Sequence, residues 1–203
     1  VLASLCEPPY ATEGANPLER GTIYRRLGQA CQRSGHLGDA GHFFERSATL
    51  LRNASGAAEE TAANTELRGE LARTLLASAK YCIRTDELKH AEAALREIVE
   101  LTEARSEERS LRCEAYRLQA ELDRRSGSHA QDLSLNVKAL ALAKEEGDPL
   151  LLSETLGAVG TSYVAQGEYD EAILHFGQRV GVAKALDCKP ELGVALSSLG
   201  TVY

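Results

Sequence analysis

Methionine and tryptophan are absent from this 203-residue chain, and aromatic residues make up only 5% of it. That scarcity, beside an abundance of Ala, Leu and Glu, argues against a β-rich fold and for helices. No run of about 18 apolar residues occurs, which excludes a membrane-spanning helix of ordinary length. The opening Val1-Leu-Ala-Ser-Leu5 is too short for a secretory signal and lacks a basic start. There is no basic excess either. The formal net charge is −7, so bulk electrostatics argue against a nucleic-acid binder. No Cys-x-x-Cys pair exists. The five cysteines, at 6, 31, 82, 113 and 188, are odd in number and widely spread, which favours a reduced, intracellular chain over a disulfide framework. Walker A, G-x-G-x-x-G, nucleophile-elbow and His-Glu-x-x-His motifs are all missing, and His36, His42, His90, His129 and His175 are scattered. The expectation is a non-enzymatic chain with no cofactor and no metal. The absence of methionine, position 1 included, leads to the further expectation that this is an internal fragment of a longer protein.

A repeat is what the sequence does contain. Leu156-Gly-Ala-Val-Gly160-Thr-Ser-Tyr163 returns 40 residues later as Leu196-Ser-Ser-Leu-Gly200-Thr-Val-Tyr203. A fixed period of that size marks a repeat array. After an irregular lead-in over 1–16, with Pro8, Pro9 and Gly14, the rest of the chain (17–203) reads as helix pairs. They span about 17–52, 62–104, 107–146 and 149–186, with a fifth starting at 190–203. Asn16-Pro17 and Asp148-Pro149 are cap-plus-proline starts. Asn53 to Thr61 reads as a looser connection, and about ten extra residues there should lengthen the loop or the next helix.

The equivalent small residues Gly28, Ala79, Ala120, Gly160 and Gly200 are spaced by 51, 41, 40 and 40 residues. Glycine inside a helix costs about 1 kcal/mol against alanine, so its return suggests a packing need. Ala40, Ala91 and Ala172 take the matching place in the second helices, and Phe44, Leu95 and Phe176 should fill the gap to the next pair. The third pair matches least well, because Asp132 and Asn136 replace the alanine and the large apolar residue. Cys31 and Cys82 stand where Tyr163 does and read as core.

This pattern resembles the tetratricopeptide repeat (TPR): two antiparallel helices, with a small residue and Tyr in the first and Ala then Phe in the second. The resemblance covers roughly 17–203 and implies an all-α, right-handed α-solenoid of antiparallel helix pairs. The usual TPR has 34 residues. The longer repeat here, with Leu174-His-Phe-Gly-Gln-Arg179-Val-Gly-Val-Ala183-Lys184, is similar to the Pins/LGN spindle adaptors and to kinesin light chains and ciliary repeat proteins. The spindle adaptors carry an Asn in the first helix where this chain has Gln29, Lys80, Glu121, Thr161 and Thr201, so asparagine-based contacts do not transfer.

In such arrays the first helices line a concave groove. Counting Ser153 as the first residue of its repeat, the groove positions include Arg25, Arg26, Gln29 and Arg33 in pair one, and Arg73, Lys80 and Arg84 in pair two. Pair three contributes Glu114, Arg117, Leu118, Glu121, Arg124 and Arg125. In pair four Glu154, Gly157, Ala158, Thr161, Val164 and Ala165 are mostly small and uncharged, a lining that could take an apolar side chain or a neighbouring protein. Nine cations against three acids would attract an acidic segment. The same cations also suit helix C-termini, where Arg33, Arg84, Arg124 and Arg125 sit, through the macrodipole. Glu92, Glu97, Glu100 and Glu103 read as a solvated outer face.

The resemblance implies a scaffold or adaptor that binds a segment of a protein partner, not nucleic acid or membrane, within a large assembly. Its style points to a cytoplasmic, cytoskeletal setting: spindle and cortex, or the ciliary axoneme with its dynein and microtubules. Two alternatives stand beside this: a TPR sensor domain of a signalling or transcription regulator, and a purely structural subunit of a large complex.

Overall fold

The computed structural model describes residues 16–56, 61–103 and 105–203. All of the expected lead-in except Asn16 lies outside them, Cys6 included. Helix α1 (Pro17–Arg33) begins where a cap and a proline meet. The Asn16 side chain accepts a hydrogen bond from the Glu19 amide at 2.9 Å, and the Glu19 carboxylate accepts one from the Asn16 amide at 3.2 Å. This capping box satisfies two donors that a helix start leaves open. Helix α2 is Leu37–Gly56, α3 is Ala62–Arg84 and α4 is Leu88–Thr102. A single 3₁₀ turn, Ser106–Glu108, leads into α5 (Arg109–Arg125). Then follow α6 (His129–Glu146), α7 (Pro149–Gln166), α8 (Tyr169–Ala185) and α9 (Lys189–Gly200). Asp148 caps α7 by accepting from the Leu150 amide at 2.8 Å. No strand occurs among the described residues.

The turn inside each pair falls at one repeat position. Gly35, Asp86, Gly127 and Gly167 all adopt left-handed backbone, with φ between 65° and 83°. Glycine takes this conformation without penalty, and aspartate is among the few others that tolerate it. The extra residues of the first repeat lengthen helices on both sides. α2 does not stop near residue 52 but runs on through Asn53-Ala-Ser55, and α3 reaches 23 residues.

The chain forms two compact units, Val1–Ala104 and Arg105–Tyr203. In the first, α2 packs on α1 and α3, α3 packs on α4, and α1 also meets α3. In the second, each helix from α5 to α9 packs on the next, and α5 meets α7. Within each unit, then, every helix touches its successor, and first helices of successive pairs lie side by side, as in stacked helix hairpins.

The helix glycines mark close approach within a pair. A Cβ at Gly28 would lie 2.6 Å from the Phe44 ring, and one at Gly160 would lie 2.5 Å from Phe176. Both rings are buried, as are Ala40 and Ala172 one turn earlier on the same helices and Ala91 at the matching position of pair two. The two phenylalanines therefore fill space against their own pair's glycine and not only toward the next pair. Phe44 also reaches onward, with its ring centroid 6.0 Å from that of Tyr81 on α3. At Gly200 nothing lies within 4 Å of the Cβ position, and the second helix that supplies the ring in the other pairs is not among the described residues.

Replacing Gly160 by Ala is predicted to destabilise the chain by about 1–3 kcal/mol through overpacking. Gly181, on an open stretch of α8 with nothing near its Cβ position, should respond oppositely. Gly181→Ala is expected to stabilise by up to about 1 kcal/mol through helix propensity. Urea denaturation of both variants checks the pair of signs, and Phe176→Leu should recover part of the Gly160→Ala loss.

Candidate functional site

In the first unit the groove-face arginines are partly neutralised from below. Arg25 on α1 donates from Nε to Glu70 on α3 at 2.7 Å, and Arg73 stands 3.5 Å from the other Glu70 oxygen. Glu70 is 5% exposed. Arg25 also donates to the Gln29 side chain at 3.5 Å. A buried carboxylate held by two guanidinium groups ties α1 to α3, and removing one partner of such a pair costs about 3–5 kcal/mol. Glu70 lies outside the groove register, so the expected balance of nine cations to three acids leaves it out. Arg26, Arg33, Lys80 and Arg84 are exposed. Of these, Arg26, Arg33 and Arg84 carry no ion pair among the described residues.

In the second unit the register positions converge. A half-open recess of about 150 Å³ is lined by Glu114, Arg117, Leu118, Glu121 and Arg124 of α5 and by Ala158 and Thr161 of α7. Arg117 donates to Glu154 at 2.6 Å, and Arg125 pairs with Glu121. Thr161 is exposed and spends its hydroxyl proton on the Gly157 carbonyl at 2.9 Å.

Asp132 and Asn136 of α6 form the remaining wall of the recess. They are 1% and 3% exposed, and they stand where the other second helices carry alanine and a large apolar residue. Asp132 Oδ1 accepts hydrogen bonds from Asn136 Nδ2 at 2.9 Å and from the Ser162 hydroxyl at 2.9 Å. Asn136 Nδ2 also donates to Ser162 at 2.8 Å. The other oxygens of this cluster, Asp132 Oδ2 and Asn136 Oδ1, are buried and have no hydrogen-bond partner among the described residues, and neither has Arg117 Nε. Burial raises the Asp132 carboxyl above the usual aspartate range, with the Ser162 hydroxyl and then the Arg124 charge pulling it back. An uncompensated buried polar group costs about 1–3 kcal/mol, so three in one place call for a reason.

Pair four offers less open space than its small residues imply. A Cβ at Gly157 would lie 2.5 Å from the Arg179 guanidinium. Arg179 fills that gap while donating to Glu191 at 2.8 Å and to Ser198 at 3.2 Å. Glu191 also accepts from Ser153 at 2.8 Å. The result is a cross-link of α7, α8 and α9. On the outer face Glu97 is only half exposed and takes a two-pronged pair from Arg52, both distances 2.7 Å. His175 stacks on Tyr163 with centroids 5.4 Å apart. Among the described residues, no group of three or more His, Cys, Asp and Glu is placed to hold a metal, and no helix is long and apolar enough to cross a membrane.

No protein-family profile matches the sequence, and no curated protein matches it. Solved structures do. BtubC from P. vanneervenii superposes with a TM-score of 0.71 at 20% identity, over 85% of this chain and 66% of that one. RapI superposes at 0.74 and 15% identity, over 94% of this chain and 50% of RapI. A kinesin-light-chain-type protein of Podosopora anserina with nearly identical TPR-like repeats superposes at 0.67 and 18% identity, over 93% of this chain and 87% of its own. These likenesses show the fold: an all-α array of TPR-like helix pairs. The chain spans half the length of RapI and about two-thirds of BtubC.

The raised Asp132 carboxyl sets a pH signature. The folded chain holds that proton to higher pH than the unfolded chain. The associated stability is therefore fully present below the unfolded value of about 3.9 and is lost as the pH rises through the folded value. Asp132→Asn keeps an oxygen for both bonds and has no proton to lose. Its denaturation midpoint should gain on that of the parent chain as the pH is raised from about 4 to about 7. A constant difference across the range would contradict the assignment.

Proposed function

We propose that the chain is a non-enzymatic interaction scaffold that takes segments of a partner protein on the faces of its first helices. The observation carrying this reading is the recess of the second unit. Seven groove positions read from the repeat register line one concavity there, and its floor is polar and incompletely bonded. Ligand sites are concave and fix orientation through a few placed polar groups, and a recess of about 150 Å³ has room for one side chain of a bound segment rather than for a separate small molecule.

The partner segment bears acidic residues where it meets the first unit. Arg26, Arg33 and Arg84 are exposed on α1 and α3 with no carboxylate paired to them among the described residues, and guanidinium groups take carboxylates in a two-pronged grip. The setting in this reading is a cytoskeletal assembly, supported by the long-repeat style shared with spindle, kinesin-light-chain and ciliary repeat proteins. A sensor role in a larger regulator is compatible with the same surfaces, since both uses need a bound segment.

Charge reversal at Arg26, Arg33 and Arg84 together tests the acidic-segment reading. Captured proteins from a native extract should fall at least about tenfold for the triple Glu variant, because each lost charge-assisted bond is worth about 1.5–3 kcal/mol when shielded from water. The circular dichroism and denaturation midpoint should stay near those of the parent chain. An unchanged set of captured proteins with an intact fold would sink the proposal, and the identities of those lost would separate a cytoskeletal partner from a regulatory one.

A further inference from the structure

We propose that the recess between α5, α6 and α7 is a subsite for a primary carboxamide, the side chain of an asparagine or glutamine in the bound segment. This deepens the scaffold reading and rests on it. Asp132 Oδ2 and Asn136 Oδ1 are two buried acceptors without a donor, and Arg117 Nε is a buried donor without an acceptor. All three residues line the same recess of about 150 Å³. A carboxamide carries the complement on one small planar group: two N–H donors and one carbonyl acceptor.

The orientation of the floor is fixed from inside the protein. Asp132 Oδ1 accepts from both Asn136 Nδ2 and Ser162, and Nδ2 also donates to Ser162, so the nitrogen of the Asn136 amide is committed inside the cluster and its oxygen is left as the acceptor without a donor. Both internal donors go to Oδ1, so Oδ2 carries none and keeps its lone pairs for a donor from the bound segment. A lysine or arginine side chain would also answer two acceptors. It would, however, enter between Arg117 and Arg124, and like charges at short range oppose it. A carboxylate would satisfy Arg117 and repel Asp132, Glu114 and Glu121. Only a neutral group that both donates and accepts meets every wall. A site built from unsatisfied polar groups discriminates strongly, because an analogue lacking the matching atoms leaves them buried and unpaired.

The test uses the 203-residue chain and four blocked amino acids followed by NMR: the N-acetyl, N-methylamide derivatives of glutamine, glutamate, lysine and norleucine. The glutamine compound is expected to give saturable shifts at the amides of Asp132, Asn136 and Ser162. The other three should not saturate in the same range. In Asp132→Asn, where Oδ2 becomes an NH₂ donor, the apparent affinity for the glutamine compound should fall at least about tenfold. Stronger saturation by the lysine compound would overturn the proposal in favour of a cation site. No preference among the four would overturn it in favour of a water-filled recess. Because the ligand series is read on the unmodified chain, its outcome does not depend on how well the variant folds. A chain that ignores the glutamine compound yet loses partner capture on reversal of Arg26, Arg33 and Arg84 would disprove this subsite and leave the scaffold reading standing.

Discussion

The structure depends on two helices approaching closely at a residue with almost no side chain. Under the Phe44 and Phe176 rings only glycine fits, because a single added carbon would lie within 2.6 Å of the aromatic atoms. Once that approach is fixed, the ring closes the pair, the alanine one turn before it is buried, and the left-handed turn residue sets where the second helix starts. A pair alone exposes an apolar face, so pairs stack. The cross-pair links are correspondingly polar and specific: Ser47 to Thr74, Arg25 to Glu70, and Arg179 to Glu191.

Pair three departs from this rule, and the departure makes the recess. Ala120 replaces the glycine, and Asp132 and Asn136 replace the alanine and the ring. Without a large apolar side chain the space between α5, α6 and α7 stays open, and its floor keeps acceptors that the protein does not satisfy. A core that is less apolar and less satisfied than its neighbours is a stability cost. Costs of that kind persist where a site is held ready for a ligand.

Much of the fold was legible because the repeat carried it. Cap-plus-proline starts and the small-residue spacing encode backbone geometry locally, so all-α helix pairs followed from the sequence. What escaped depended on neighbours far along the chain. Glu70 carried no signal in the repeat register, and only the packing of α1 on α3 brings Arg25 to it. Gly157 looked like open lining until Arg179 occupied it. Asp132 and Asn136 did register, as the weakest match to the repeat. Their bonds to Ser162, 26 and 30 residues away, could not be read from a pattern of positions. Poor agreement with the repeat was therefore the most informative signal in the sequence, although at that level it looked only like degeneracy.

If pair three sacrifices packing for recognition, restoring the repeat's own residues tests that trade most directly. Asp132→Ala with Asn136→Leu reproduces the pattern of pair two, where Ala91 and Leu95 stand at these positions and are fully buried. The double variant is then expected to be more stable than the parent at neutral pH, by about 1–4 kcal/mol in urea denaturation. A less stable variant would contradict the trade, and would mean that the polar cluster holds α6 to α7 instead of waiting for a partner.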